Sequence, residues 1–531
     1  MRNSSPTESF AVLFVVLLVS LSVTPWGGLA ETAGMGVTAP AQTQIDSCTV
    51  ISKSGVYALS SDIDDSAAGT CIRIRANDVV LDGRGHALDG IGNNGTNGLI
   101  VRGSANVTIR NLSATEWGTG IEFTNSADTM VRNVVAADNG RTGIRLVDAT
   151  NTTLTNVTAT DNVAPALSPF PGPSKSAGIF VADSRDIHLF DANVSRNVGG
   201  VSLVNTSNAI VGNSVATANE VGFFVRGAND TVRGSVAAGN NVGFFADNAT
   251  DSSFVNVSAV SNRVGVGVEN TTTARLNDGN ASSNFLGVSV VRSRGVSVVN
   301  TTAASDFVGI NFLESERSTV VESEIRRSEF IGVGMVETTA TRLSNTTVET
   351  TVGNESVPGA TSAGLYLNGS ATRLDGVTVA DNENWTIFAE RDSNLDARRV
   401  SLDGTPVSFD GADFALDSTT RPPTPSRPSE RVIVGQSFVV SQTTTDGSLD
   451  VRIGYDRRAT SRLNIAERTL RLWRYNGSWS EVCESRVTPE RHVVSATLTR
   501  PERAVFSVVG ERTESGTDER KSGCVASRDS T

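Results

Sequence analysis

Apolar and polar residues alternate in short bursts along most of the chain, and each burst opens on a glycine. "GIEF", "GIRL", "GIFV", "GVSL", "GFFV", "GVSV", "GINF" and "GLYL" share one form: Gly, apolar, any, apolar. Period two is the pattern of a strand with one buried face. The opening glycines fall at 98, 120, 143, 178, 200, 222, 243, 265, 287, 309, 332 and 364. The steps to Gly178 and Gly364 are 35 and 32 residues, and all others are 21 to 23. A fixed period this short predicts a stacked repeat, each coil burying its apolar face against its neighbours.

Asparagine follows the same period. Nineteen residues past the glycine stand Asn139, Asn162, Asn197, Asn219, Asn241, Asn262 and Asn284, with Asp306 next. Thirteen past it stand Asn111, Asn133, Asn156, Asp191, Asn213, Asn256, Asp278, Asn300 and Asn345. Such columns suit ladders of stacked side-chain amides that bond along the stack and to the turns. Several ladder positions, Asn111, Asn156 and Asn256 among them, fall in N-x-S/T sequons. An inward-facing ladder would keep these unmodified. Leucine-rich repeats share this period but require an L-x-x-L-x-L frame. Here the apolar sites are Val, Ile and Phe, so the reading is an all-β parallel β-helix of about 13 coils with a 22-residue period.

The pattern changes twice outside the repeat. Arg2, the apolar run 10–23 and "GLA" at 28–30 read as an export signal over 1–30. That run is short for a membrane span, which predicts a mature chain with none. Residues 31–44 follow as a flexible segment, and the β-helix takes 45–418. A Pro-rich linker occupies 419–430, and 431–510 alternate again as a small β-sandwich-like domain. The polar residues 511–531 read as a tail. Formal charge is −12 and only three residues are Lys, so no basic stripe points to nucleic acid. Four Cys suit an oxidising compartment. Cys48 and Cys71 are close enough in sequence to pair, which leaves Cys483 and Cys524 for each other.

The stretch "CTVISKSGVYALSSDI…CIRIRANDVVLDGRGHALDG" and the repeats after it resemble the NosD-like, carbohydrate-binding and sugar-hydrolase group of right-handed β-helix proteins. The beginning is similar to archaeal secreted members. The end, "LRLWRYNGSWSEV…VVSATLTRPERAVFSVVG", is similar to modules that close many archaeal surface proteins. The resemblance implies a right-handed coil and an extracellular role. It also implies that a substrate cleft, where one exists, lies on the outward face of the first strand. Relatives include lyases, epimerases, hydrolases, adhesins and a periplasmic protein of copper-site maturation, and the fold does not choose among them.

Candidate chemistry therefore comes from side chains. Two residues past each glycine the first strand presents Phe180, Phe224 and Phe245, and four past it Arg226, Asp247 and Glu269. Aromatic faces beside charged hydrogen-bonding groups suit a polysaccharide lying across the coils, and Arg145 or Arg226 would hold a sugar carboxylate. Covering of these rings by an insertion or another domain is the alternative. Asp247 and Glu269 occupy adjacent coils, a spacing that would serve a retaining glycosidase, with Arg226 beside them. They would repel unless Arg226, a cation or a shared proton offsets the charge. Copper wants His, Cys or Met, and His86, His188 and His492 fall one to a region, so no metal site is expected. Asp82 and Asp89 near His86 read as turn formers, with Ca2+ contact as the other option. The leading reading is polysaccharide binding without a cofactor. A carbohydrate-active enzyme and a structural adhesin are the alternatives.

Overall fold

The computed structural model describes residues 42–163, 176–352, 361–419, 422–425 and 430–513. The expected export signal, most of the segment after it, both long insertions, part of the Pro-rich linker, the tail and Cys524 lie outside these residues.

The alternating bursts form strands, and each strand pairs in parallel with its counterpart one coil away. One coil consists of Val242–Asp247, Ser253–Val255 and Ser258–Val260. These pair with Val264–Glu269, Arg275–Asn277 and Asn280–Ser282 of the next coil. The result is a parallel β-solenoid of about 15 turns. The count exceeds the expected 13 because Thr49–Ile51 and Thr70–Ile74 add two coils before the first counted glycine. The apolar position after each glycine points inward: Ile121, Ile144, Phe244 and Ile310 are wholly buried. Phe223 and Phe244 stack at 5.0 Å with ring planes 8° apart, one coil spacing from ring to ring.

The glycines and the asparagine ladder require each other. Oδ1 of Asn162 accepts from the backbone N of Asn139 at 3.2 Å and from its Nδ2 at 2.8 Å. The same pair of bonds continues through Asn197, Asn219, Asn240, Asn262 and Asn284. Each Nδ2 also donates to a coil carbonyl, as Asn262 does to Ala237 at 3.0 Å. A Cβ on Gly243 would lie 2.6 Å from the Gly265 carbonyl and 3.1 Å from Asn262 Nδ2. Only glycine leaves room for the amide, which explains why the two columns repeat together.

Asn240, not Asn241, is the rung of its coil. The coil opened by Gly222 is one residue short, with the register shifting opposite Val204 and Thr206. The ladder position therefore arrives one residue early. Asn241 instead donates to Glu220 at 2.9 Å on the exposed side. The second column also departs from expectation. Asn133, Asn156 and Asn256 sit at corners with φ of 51–53° and are exposed, and Asn111 is half-buried. Their side chains bond along the surface, Asn156 to Asn133 at 2.9 Å. The sequons at Asn156 and Asn256 thus face outward.

Hydroxyls line a further corner. Ser293 Oγ accepts from Thr271 N, and Ser315 Oγ from Ser293 N, at 3.1 and 3.3 Å. The Cys48–Cys71 disulfide joins the first two coils. Cys483 is half-buried.

Parallel stacking gives way to antiparallel pairing at the last coil. Trp385–Glu390 pairs with Phe414–Thr419, and Asn394–Leu402 folds back on Thr405–Ala412. Phe414–Thr419 then pairs with Arg431–Gln442, which pairs with Ala504–Glu511. The C-terminal β domain thus continues hydrogen bonding from the coils, and its core includes Phe438, Leu449, Leu472 and Phe506. Among the described residues no helix is long and apolar enough to cross a membrane.

Candidate functional site

The outward side chains of the first strand form two columns in register. Two residues past the glycines, Glu122 faces Arg145, Arg145 faces Phe180, and Phe224 faces Phe245. The column ends in Asn311, Gly334, Tyr366 and Phe388. Four past the glycines, Asp247 faces Glu269, and Asn368 faces Glu390.

The aromatic part of this face is not where the sequence suggests. Phe180 and Phe224 are only 5% and 2% exposed. Phe224 packs among Val221, Val242 and half-buried Phe245, with the Arg226 guanidinium 5.3 Å from its centroid. Arg145 lies 5.9 Å from the Phe180 ring. These two rings offer no open face to a sugar. Phe245 is half-buried, and its edge rests where Gly267 lacks a side chain, 3.0 Å from the position a Cβ would take. The accessible aromatics lie farther along. Tyr366 and Phe388 stack at 6.1 Å with planes 9° apart, and Trp385 tilts against Phe388 at 6.0 Å. Tyr366 donates to Glu390 Oε1 at 2.7 Å, and Asn368 donates to Tyr366 Oη and to Glu390 at 3.1 and 3.2 Å. Burial, with Glu390 beside it, holds the Tyr366 phenol above its ordinary range, so it stays a donor.

Each carboxylate of the Asp247–Glu269 pair has its own arginine. Arg226 pairs with Asp247, which also accepts from Asn248 Nδ2 at 2.7 Å. Arg292 pairs with Glu269. Farther up, Arg145 pairs with Glu122 at 2.9 Å. The like charges in adjacent coils are offset by arginines on both sides, one of which, Arg292, lies just past its strand and outside the expected columns. Arg226, Asp247 and Glu269 are thus brought together, and Arg145 stands apart with Glu122.

Two family descriptions match the sequence: "Right handed beta helix region" over residues 33–216 and "Periplasmic copper-binding protein (NosD)" over 172–300. The second spans the Phe224–Phe245 coils and both arginine pairs around Asp247 and Glu269. Together the two matches support a NosD-like right-handed β-helix family. No curated protein sequence matches it. Among solved structures it is similar to the A-module of mannuronan C-5 epimerase AlgE6 from Azotobacter vinelandii. That likeness is 17% identity over 66% of this chain and 91% of that one, TM-score 0.35. It is similar to the Dettilon tailspike protein gp208 at 11% identity over 88% and 87%, TM-score 0.38. It is also similar to pectate lyase Pel9A at 16% identity over 46% and 66%, TM-score 0.31. These likenesses concern the fold alone.

Among the described residues, the His and Met side chains do not converge on a copper site. His86 bonds Asp62 at 3.0 Å, His188 stacks on Phe190 at 6.4 Å, and His492 packs on Tyr455 at 5.7 Å. Met335 is sealed in the core and Met130 is 45% exposed. Among the described residues no three His, Cys, Asp or Glu side chains converge to hold a metal. Near His86, Asp82 pairs with Arg110 at 2.9 Å and Asp89 accepts from Thr115 at 2.5 Å, so both are engaged by the protein.

Proposed function

We propose that this protein is exported and binds polysaccharide along the outward face of its first strand stack without cutting it. The observation that carries the reading is the arginine beside each carboxylate of the Asp247–Glu269 pair. A retaining glycosidase needs one carboxyl to hold a proton and the other to attack. Arg226 and Arg292 instead engage both carboxylates in ion pairs within the protein. What remains is a fixed strip of hydrogen-bonding groups, with half-buried rings at Phe245, Tyr366 and Phe388. A repeating glycan meets such a strip at several coils at once, so weak contacts add along its length. The accessible rings assign the strongest contact to Tyr366 and Phe388. Replacing both by Ala should lower retention of a bound polymer about tenfold or more while the β-helix stays folded. Unchanged retention would remove this face from the account.

A further inference from the structure

Where the last coils meet the C-terminal domain, four separate chain segments enclose an open cavity of about 450 Å³. That lies within the range of small-molecule sites, roughly 300–1,000 Å³. Thr361 and Ser362 precede the strand Ala363–Asn368, and Glu383 and Asn384 precede Trp385–Glu390. Asp417 comes from Phe414–Thr419 and Arg503 from the approach to Ala504–Glu511.

Its lining has a definite chemistry. The Arg503 guanidinium lies 5.3 Å from the Trp385 centroid and forms no ion pair among the described residues. Stacking rather than a carboxylate holds this donor in place. Asp417 accepts from Thr386 Oγ1 at 3.1 Å and from Ser418 N at 2.9 Å. Burial, with Asp403 nearby, holds its carboxyl above the usual range. Asn384 is oriented by its bond to Ser362 at 2.5 Å. The cavity thus presents donors, acceptors and hydroxyls that are both, around one indole.

We propose that this cavity binds the ring of a neutral sugar. One arginine faces two acidic residues, so an anionic ligand gains no net attraction. A polyhydroxy ring without charge matches the mixture, because each hydroxyl donates and accepts. The indole supplies the apolar contact. The site adds to the polymer-binding strip but does not need it, since a single sugar unit fits with nothing lying across the coils.

The test is titration of the full chain with methyl glycosides of neutral hexoses, and with a methyl uronoside, by calorimetry and ligand-observed NMR. A neutral glycoside should bind, Arg503→Ala and Asn384→Ala should each weaken it about tenfold or more, and the uronoside should bind less well. Tyr366→Ala, which removes a strip ring stacked on Phe388 and not on the indole, should leave this binding in place while polymer retention falls. Thermal unfolding of each variant confirms that it folds. Binding that Arg503→Ala does not change, preference for the uronoside, or no neutral glycoside bound at all would each overturn the proposal. Polymer retention that survives Tyr366→Ala would count against the strip alone.

Discussion

Asn284 donates twice to Oδ1 of Asp306, from its backbone N at 2.7 Å and from Nδ2 at 3.2 Å, while Oδ2 of Asp306 has no hydrogen-bond partner. In every rung before it that second position is an amide, which donates to a coil carbonyl. A carboxylate oxygen cannot do so, but a protonated carboxyl can. Burial agrees, pushing the Asp306 carboxyl from 3.8 up to about 7.

The consequence is a pH dependence with a definite sign. The unfolded carboxyl ionises near 3.8 and the folded one near 7. Its contribution to stability is full below the lower value and falls as pH rises through the upper one, by about 4 kcal/mol in all. Asp306→Asn supplies the missing amide. Denaturant unfolding of both proteins from pH 4 to 8 should show the variant gaining on the parent as pH rises. A constant difference across that range would mean the folded carboxyl is not raised.

The ladder register gives a second test. Asn240→Ala removes the Nδ2 bonds to Asn262 and to the Ala216 carbonyl and strands the backbone N of Asn219, whose Nδ2 keeps the Val194 carbonyl, at a cost of about 2–3 kcal/mol. Asn241→Ala removes one exposed bond to Glu220 and should stay within about 0.5 kcal/mol. Equal losses in denaturation midpoints would refute the one-residue shift.

Asp247 should behave as a structural ion-pair partner. Asp247→Asn leaves Arg226, whose Nε already lacks a partner, without its counter-charge. Stability should fall about 1–2 kcal/mol, with polymer retention changed little. A catalytic carboxylate would show the reverse, with intact stability and loss of a cutting activity.

The disulfide closes a span of 23 residues at the first coils. Its replacement by Cys48→Ser with Cys71→Ser should cost about 3 kcal/mol. Hydrogen exchange should rise first near Thr49–Ile51 and Thr70–Ile74. Uniform loss of protection across all coils would contradict a local staple.

The coil architecture was legible because close packing forces it into the sequence. A glycine must stand where the amide ladder passes, and an apolar residue must follow it. Asn241 stands where the regular spacing lands, so a one-residue shortening that moves the rung to its neighbour Asn240 leaves no gap in the expected column. The hydroxyl ladder was invisible because Ser and Thr are common everywhere in this chain. Alternation told which side Phe180 and Phe224 face, but not what covers them. Arg292 lies outside the strand columns, and Arg503 and Asp417 reach the cavity from distant segments, so no sequence spacing joins them.

Binding without cleavage can be tested directly. The protein is incubated in high salt, with and without Ca2+, with immobilised and free uronate-rich and neutral polysaccharides. Retention and the appearance of reducing or unsaturated ends are followed together. The account predicts that at least one glycan is retained and that its chain length does not change. New chain ends from any glycan, or retention of none, would contradict it.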